Sequence, residues 1–292
     1  MKCRAVGEAT IARVLELNLP DFAPLAFFPE TTEADWAPHL DWLKPKAMDP
    51  ASGNLYFPMQ SYVVRTPHHT ILIDGCVGNH KDRPHRPNWH MKSDTRYFDA
   101  LASHSLAVED IDYVMCTHMH VDHVGWNTRL IDGRWVPTFP NAQYVFSKKE
   151  HDYWAEMHTE TPLPHIADSV LPIVEAGRAL MVNSDHTLDD TIWLEPTPGH
   201  TPDHFAVRLS SAGEDAVFSG DLMHAPIQCR HPEWRARPDY DVPQARATRR
   251  AFMERYCDTE TLVCTAHFPL PSAGYVVPHG DVFDFRYDTQ DW

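Results

Sequence analysis

Four side chains within six residues, His118, His120, Asp122 and His123, carry the clearest chemistry in the sequence. They lie in the run Thr117-His-Met-His-Val-Asp-His-Val-Gly125. Two imidazoles at i and i+2, then a carboxylate and a third imidazole, can serve two metal ions from one turn. His118 and His120 would face one ion, Asp122 and His123 the other. Imidazole nitrogen and carboxylate oxygen suit zinc and related divalent ions at sites left open for catalysis. A His-rich surface loop is the plainer alternative in a chain with 20 histidines. Against it stands the run Asp112–Thr117, which reads as a buried strand and puts the cluster where a strand ends.

A dinuclear site needs more ligands than one turn provides. Thr197-Pro-Gly-His200, Ser219-Gly-Asp221 and Thr265-Ala-His267 each follow a strand-like run. Any one of them alone reads as a capping or turn residue. Four strand ends that each finish in a candidate ligand favour a common cleft.

These groups must be positioned by a well-packed body. The chain has 292 residues, 43% of them hydrophobic, enough for one large domain or two small ones. A formal charge of −16 argues against nucleic acid and anionic membrane surfaces as partners. Residues 1–8 lack the apolar core of a signal peptide and no run approaches a membrane span, so a cytoplasmic location is expected. Six cysteines without a C-x-x-C pair read as free thiols of a reducing compartment.

Strands are expected at Ala5–Val14, Ser61–Thr66, Thr70–Asp74, Tyr113–Cys116, Arg134–Thr138, Gln143–Phe146, Thr191–Glu195, His204–Leu209, Asp215–Ser219, Thr261–Thr265 and Gly274–Val277. Helices are expected at Thr95–Ser105, Ser147–Met157, Ile166–Leu180 and Gln244–Tyr256, the third interrupted by Pro172 and Gly177. Residues 19–59, rich in proline and aromatics, read as an inserted loop, either a lid or a subunit contact; a homodimer is compatible with the latter. The mixed order fits one α+β domain over residues 1–292: two mixed sheets packed face to face with helices outside.

The ordered set H-x-H-x-D-H, then His200, Asp221 and His267, resembles the signature of the metallo-β-lactamase-fold hydrolases. The resemblance runs from about Ser61 to His267 and implies an αββα sandwich with the site at one edge. It implies two divalent ions, zinc by preference: His118, His120 and His200 for one, Asp122, His123 and His267 for the other, with Asp221 bridging. Asp74 matches an Asp the family usually has there and would accept a ring N–H from a ligand histidine. The implied reaction is attack by a metal-bridging hydroxide, with Asp122 orienting it.

Within the family, an Asp at 221 argues against β-lactam hydrolysis. The nearest resemblance is to N-acyl homoserine lactonases and methyl parathion hydrolase. His224 stands where the lactonases usually have a Tyr, and is the candidate hydrogen-bond or proton donor to substrate. Trp126 and Phe268, beside the ligands in sequence, are expected to line a pocket for a small neutral substrate. The expected activity is hydrolysis of small esters or lactones. Phosphotriester hydrolysis and a mononuclear iron persulfide dioxygenase are the alternatives, and a non-catalytic binding protein is the remaining contrast.

Overall fold

In the computed structural model, which describes residues 2–292, two mixed β-sheets pack face to face with helices on their outer sides. Met1, the first of the opening residues considered above, lies outside the described residues. The first sheet contains β1 (Arg4–Val6), β2 (Ala9–Phe22), β3 (Leu55–Arg65), β4 (Thr70–Ile73) and β5 (Tyr113–Met115). A separate hairpin of β6 (Thr128–Ile131) and β7 (Arg134–Pro137) follows; β8 (Gln143–Ser147) and β9 (Ala179–Val182) then extend the first sheet beyond β5. The second sheet runs in chain order through β10 (Ile192–Pro196), β11 (Phe205–Ser211), β12 (Glu214–Phe218), β13 (Leu262–Cys264), β14 (Ala273–His279) and β15 (Val282–Tyr287). Strands β4, β5, β8 and β9 pair in parallel, as do β12 and β13.

Strand alternation explains the layers. Ile71 and Ile73 of β4 point into the core between the sheets, where they join Val207, Leu209 and Phe218 of the second sheet. Leu72 points the other way, into a second core with Tyr97 and Leu101 of the helix Arg96–Ser103. A strand covered on both faces needs an unbroken apolar run, which is what Thr70–Ile73 shows. On the far side, Ala206 and Val217 pack with Phe252, Met253 and Tyr256 of the helix Val242–Tyr256.

Several boundaries differ from the sequence reading. Ala5–Val14 is not one strand but the hairpin β1–β2, because Gly7 takes φ +57° and its Cα lies against the backbone of Ser211. No helix spans Ile166–Leu180: two short ones, Pro164–Ser169 and Leu171–Glu175, meet at Val170, and β9 takes the residues after Gly177. Pairing with β8 and burial of Val182 outweigh the helical periodicity. Residues 19–59 are less irregular than expected. Their ends belong to β2 and β3, short helices lie between, and Phe22, Phe27, Phe28, Trp36 and Phe57 are buried together. Among the described residues no helix is long and apolar enough to cross a membrane.

The irregular stretch 77–92 is fixed by buried charge. Lys81 Nζ donates to Thr128 Oγ1 (2.7 Å) and to the Asp168 carbonyl (3.0 Å), and lies 3.6 Å above the Trp135 ring. Arg83 grips the Asp168 carboxylate with two bonds of 2.8 and 2.9 Å. Burial lowers the Lys81 pKa to about 7, although Asp168 pulls it upward. The unfolded chain therefore holds a proton that the folded chain releases between about pH 7 and the ordinary value of 10.5. Over that window this group makes stability rise with pH. Lys81→Met is expected to flatten the rise, measured by urea unfolding at about pH 7.5 and about pH 9.5; an unchanged slope would count against the assignment.

Candidate metal centre

Four strand ends converge on one edge of the sandwich. After β5, residues 117–123 turn back on themselves, with the His123 N–H donating to the His120 carbonyl at 3.0 Å. His200 follows β10, Asp221 follows β12 and His267 follows β13. Since β12 and β13 are parallel neighbours, Asp221 and His267 emerge side by side. The Phe205 N–H donates to the Thr117 carbonyl (3.1 Å), which ties the two sheets together at this edge. Gly220 has φ +51°, and a Cβ there would sit 2.5 Å from His204 Nε2 and 2.8 Å from Thr117 Oγ1. Only glycine lets the Asp221 turn come this close.

The candidate ligands form two groups: His118, His120, His200 and Asp221 in one, Asp122, His123 and His267 in the other. Asp221 touches both. Its Oδ2 lies 3.4 Å from His200 Nε2 and 3.7 Å from His118 Nε2. Its Oδ1 lies 2.9 Å from His267 Nε2 and 3.1 Å from His123 Nε2. One carboxylate thus turns one oxygen to each group. The remaining acid, Asp122, has Oδ2 3.8 Å from His267 Nε2.

The donor set fits divalent ions. Four histidines bind outward through Nδ1: His118 to Thr117 Oγ1 (3.1 Å), His123 to Asp74 Oδ2 (2.9 Å), His200 to Asp239 Oδ1 (3.0 Å) and His267 to the Pro58 carbonyl (2.9 Å). With the proton on Nδ1, each Nε2 lone pair points inward, the tautomer a metal requires. Inward-facing nitrogens stand 2.9–3.3 Å apart, as for His200 Nε2 and His120 Nδ1 (2.9 Å) or His267 Nε2 and His123 Nε2 (3.3 Å). Nitrogens at tetrahedral zinc are separated by about 3.3 Å, given bonds of about 2.0–2.1 Å.

The electrostatics show a site that takes up positive charge beside its carboxylates and stays neutral elsewhere. Burial, reinforced by neighbouring imidazoles, pushes His118 and His120 well below the ordinary histidine range. Burial acts the same way on His200, but Asp221 and Asp239 overcome it and raise the pKa to about 9. Asp221 itself is held well down by its histidines in spite of burial.

Three supporting groups were not singled out in the sequence. Asp239 holds His200 and is gripped by Arg249 of the helix Val242–Tyr256 (3.2 Å). His204 accepts the Asp221 N–H through Nε2 at 3.0 Å. Buried Glu150 accepts the backbone N–H of Met119 (3.3 Å) and of Asp203 (3.1 Å), joining two ligand turns. Each is a common polar residue with no local motif; only long-range contacts reveal it. Asp74 meets the expected geometry, and also accepts the Thr117 N–H at 2.8 Å.

A cavity of about 590 Å³ opens onto the centre, with Phe22, Phe27, Phe57, Trp89 and His224 on its wall. Residues 19–59 supply much of that wall. His224 is 1% exposed, its Nε2 lies 3.3 Å from Asp221 Oδ2, and neither ring nitrogen has a hydrogen-bond partner. Trp126 and Phe268, expected on the wall, are not there. Trp126 stacks on Tyr97 at 4.9 Å and donates its Nε1–H to Glu16 (3.0 Å), because its side chain leaves the turn on the side away from the ligands. Phe268 points into the core under the second sheet against Phe285.

Comparison with known proteins agrees with this architecture. The model of the Metallo-beta-lactamase superfamily matches residues 57–267. The "Beta-lactamase-like protein 2 homolog" of Caenorhabditis elegans is 30% identical over 134 residues, 44% of this chain and 37% of that protein. The chain spans less than half the length of the curated relatives it matches. Among solved structures, AidC, described as a dizinc quorum-quenching lactonase in complex with a product, superposes with a TM-score of 0.80 at 21% identity, covering 99% of this chain and 97% of AidC. The hydrolase AbOPH gives 0.82 at 21% identity, covering 99% and 98%.

Asp239 offers a direct check on the metal reading. Asp239→Asn removes the charge behind His200 with little change of shape. Metal affinity is expected to fall about 10–100-fold, as measured by competition with a chromophoric chelator. Unaltered affinity would remove His200 from the ligand set.

Proposed function

We propose, from the premise that this chain belongs to the metallo-beta-lactamase superfamily, that it is a dinuclear metal-dependent hydrolase of small esters or lactones. The carrying observation is the Asp221 carboxylate, with one oxygen turned to each of two complete ligand groups. A single-ion reading, such as an iron persulfide dioxygenase, leaves the group Asp122, His123 and His267 without a purpose. The N/O donor set favours zinc. Six unpaired cysteines favour a reducing, cytoplasmic setting.

Two divalent ions held by these residues would supply Lewis acidity and a water acidified to near neutrality. The chain's own groups do the rest. Asp122, at the cavity wall, has a second carboxylate oxygen with which to orient the attacking water. His224 sits at the same wall, and burial lowers its pKa, so it meets substrate as a neutral imidazole. One ring N–H can then donate to the carbonyl or leaving oxygen, which gives one of the two unpartnered nitrogens a partner. Phe22, Phe27 and Phe57 exclude bulk water and strengthen these interactions.

Purified protein is expected to carry about two zinc ions per chain and to hydrolyse members of a panel of lactones, aryl esters and phosphotriesters. Asp221→Ala should remove metal and lower turnover by about a hundredfold or more. One iron per chain with oxygen consumption would replace this reading with the dioxygenase one. His224→Gln should keep the metal content and lower kcat about a hundredfold; an unchanged kcat would take His224 out of the reaction.

A further inference from the structure

Two cations on the cavity wall have no carboxylate partner among the described residues. Besides Asp122 and Asp221 at the metal centre, the charged residues of the wall are Asp21, Arg86 and Arg237. Two of these three are positive in a chain with 25 Lys and Arg against 41 Asp and Glu. Neighbouring arginines each have a carboxylate in reach: Arg83 has Asp168, Arg235 and Arg246 share Glu30, and Arg249 has Asp239. Arg86 and Arg237 have no carboxylate partner among the described residues.

Both are exposed residues, the Arg86 side chain oriented by ring stacking and Arg237 placed by its backbone. The Arg86 guanidinium lies 4.8 Å from the centroid of Phe22 and 5.0 Å from that of Trp89, two rings of the same wall. Such stacking orients the group and leaves its N–H donors free at the edge. The backbone N–H of Arg237 donates to the Phe27 carbonyl (2.8 Å), in a turn that Asp239 closes by accepting the backbone N–H of Ala236 (2.9 Å). Asp21, the opposing charge, already accepts from Asn88 Nδ2 at 2.6 Å. The wall they share with the metal centre also carries Phe22, Phe27, Phe57 and Trp89.

We propose that the substrate is an ester or lactone whose non-reacting end carries one carboxylate, bound by Arg86 and Arg237. This rests on the hydrolase reading above and replaces the small neutral substrate expected from the sequence. A planar carboxylate matches the guanidinium fork, and an apolar spacer matches the aromatic wall. Arg86 and Arg237 are specificity-determining residues here, remote from the reacting bond.

The test compares two esters of equal length with the metal-loaded protein: 4-nitrophenyl hexanoate and the mono-4-nitrophenyl ester of adipic acid. The acid ester is expected to have at least about a tenfold higher kcat/KM at low salt, as one charge-assisted pair allows. In the Arg86→Gln/Arg237→Gln double variant the ratio should fall to near one; a general loss of folding or metal cancels in it. A ratio near one in the native protein overturns the anion site and leaves the hydrolase reading standing. A preference that survives in the double variant places the carboxylate on the metals and also overturns the proposal. If neither ester is hydrolysed, the hydrolase reading fails, and calorimetry with the amides hexananilide and adipic acid monoanilide decides the anion site. Tighter binding of the acid amide, lost in the double variant, supports it; equal affinity overturns it.

Discussion

The constraint on which this structure turns is the burial of one carboxylate among converging imidazoles. Asp221 is almost wholly out of water, with five ring nitrogens from His118, His123, His200, His224 and His267 within 3.7 Å of its two oxygens. A buried charge of this kind is costly unless it is paired, and a cluster of lone pairs is costly unless something positive sits among them. Divalent ions satisfy both demands at once. The same constraint explains Gly220: the Asp221 turn must close against His204 and Thr117, and a Cβ would fill that gap.

Each ligand transmits the constraint to a different part of the fold. Asp74 ties His123 to the end of β4, the Pro58 carbonyl ties His267 to β3, and Asp239 ties His200 to the helix Val242–Tyr256 through Arg249. Glu150 connects the turns that carry His120 and His200. Ligand orientation is therefore a property of the whole sandwich rather than of the six-residue motif. Residues 19–59 take part too, since Phe57 stacks on His267 at 3.9 Å and Phe27 stands 5.1 Å from His224.

The candidate metal ligands were legible in the sequence because ligand chemistry is written in residue type and in position at a strand end. His118 to His123 share one turn, and His200, Asp221 and His267 each close a run whose apolar pattern marks a buried strand. The two-sheet architecture was legible for the same reason, since alternation and unbroken apolar runs report which faces are covered. Helix and strand competed less clearly at Ile166–Leu180. There the pairing of β9 with β8, a contact with residues some thirty positions away, decided the outcome against local periodicity.

What the sequence could not decide is the direction of side chains that carry no ligand chemistry. Trp126 and Phe268 adjoin ligands along the chain yet point into the core, because neighbours on a turn or strand leave the backbone on opposite sides. Arg86 and Arg237 lie far from every ligand in sequence and still share its cavity. By itself the sequence determined the fold and the candidate metal-binding donors, both of which depend on residue type and short spacing. The tertiary structure alone decided the outer partners of the histidines other than Asp74, the wall of the cavity and its cations without a carboxylate partner. Those depend on which distant segments meet when two sheets pack, and no local pattern encodes that.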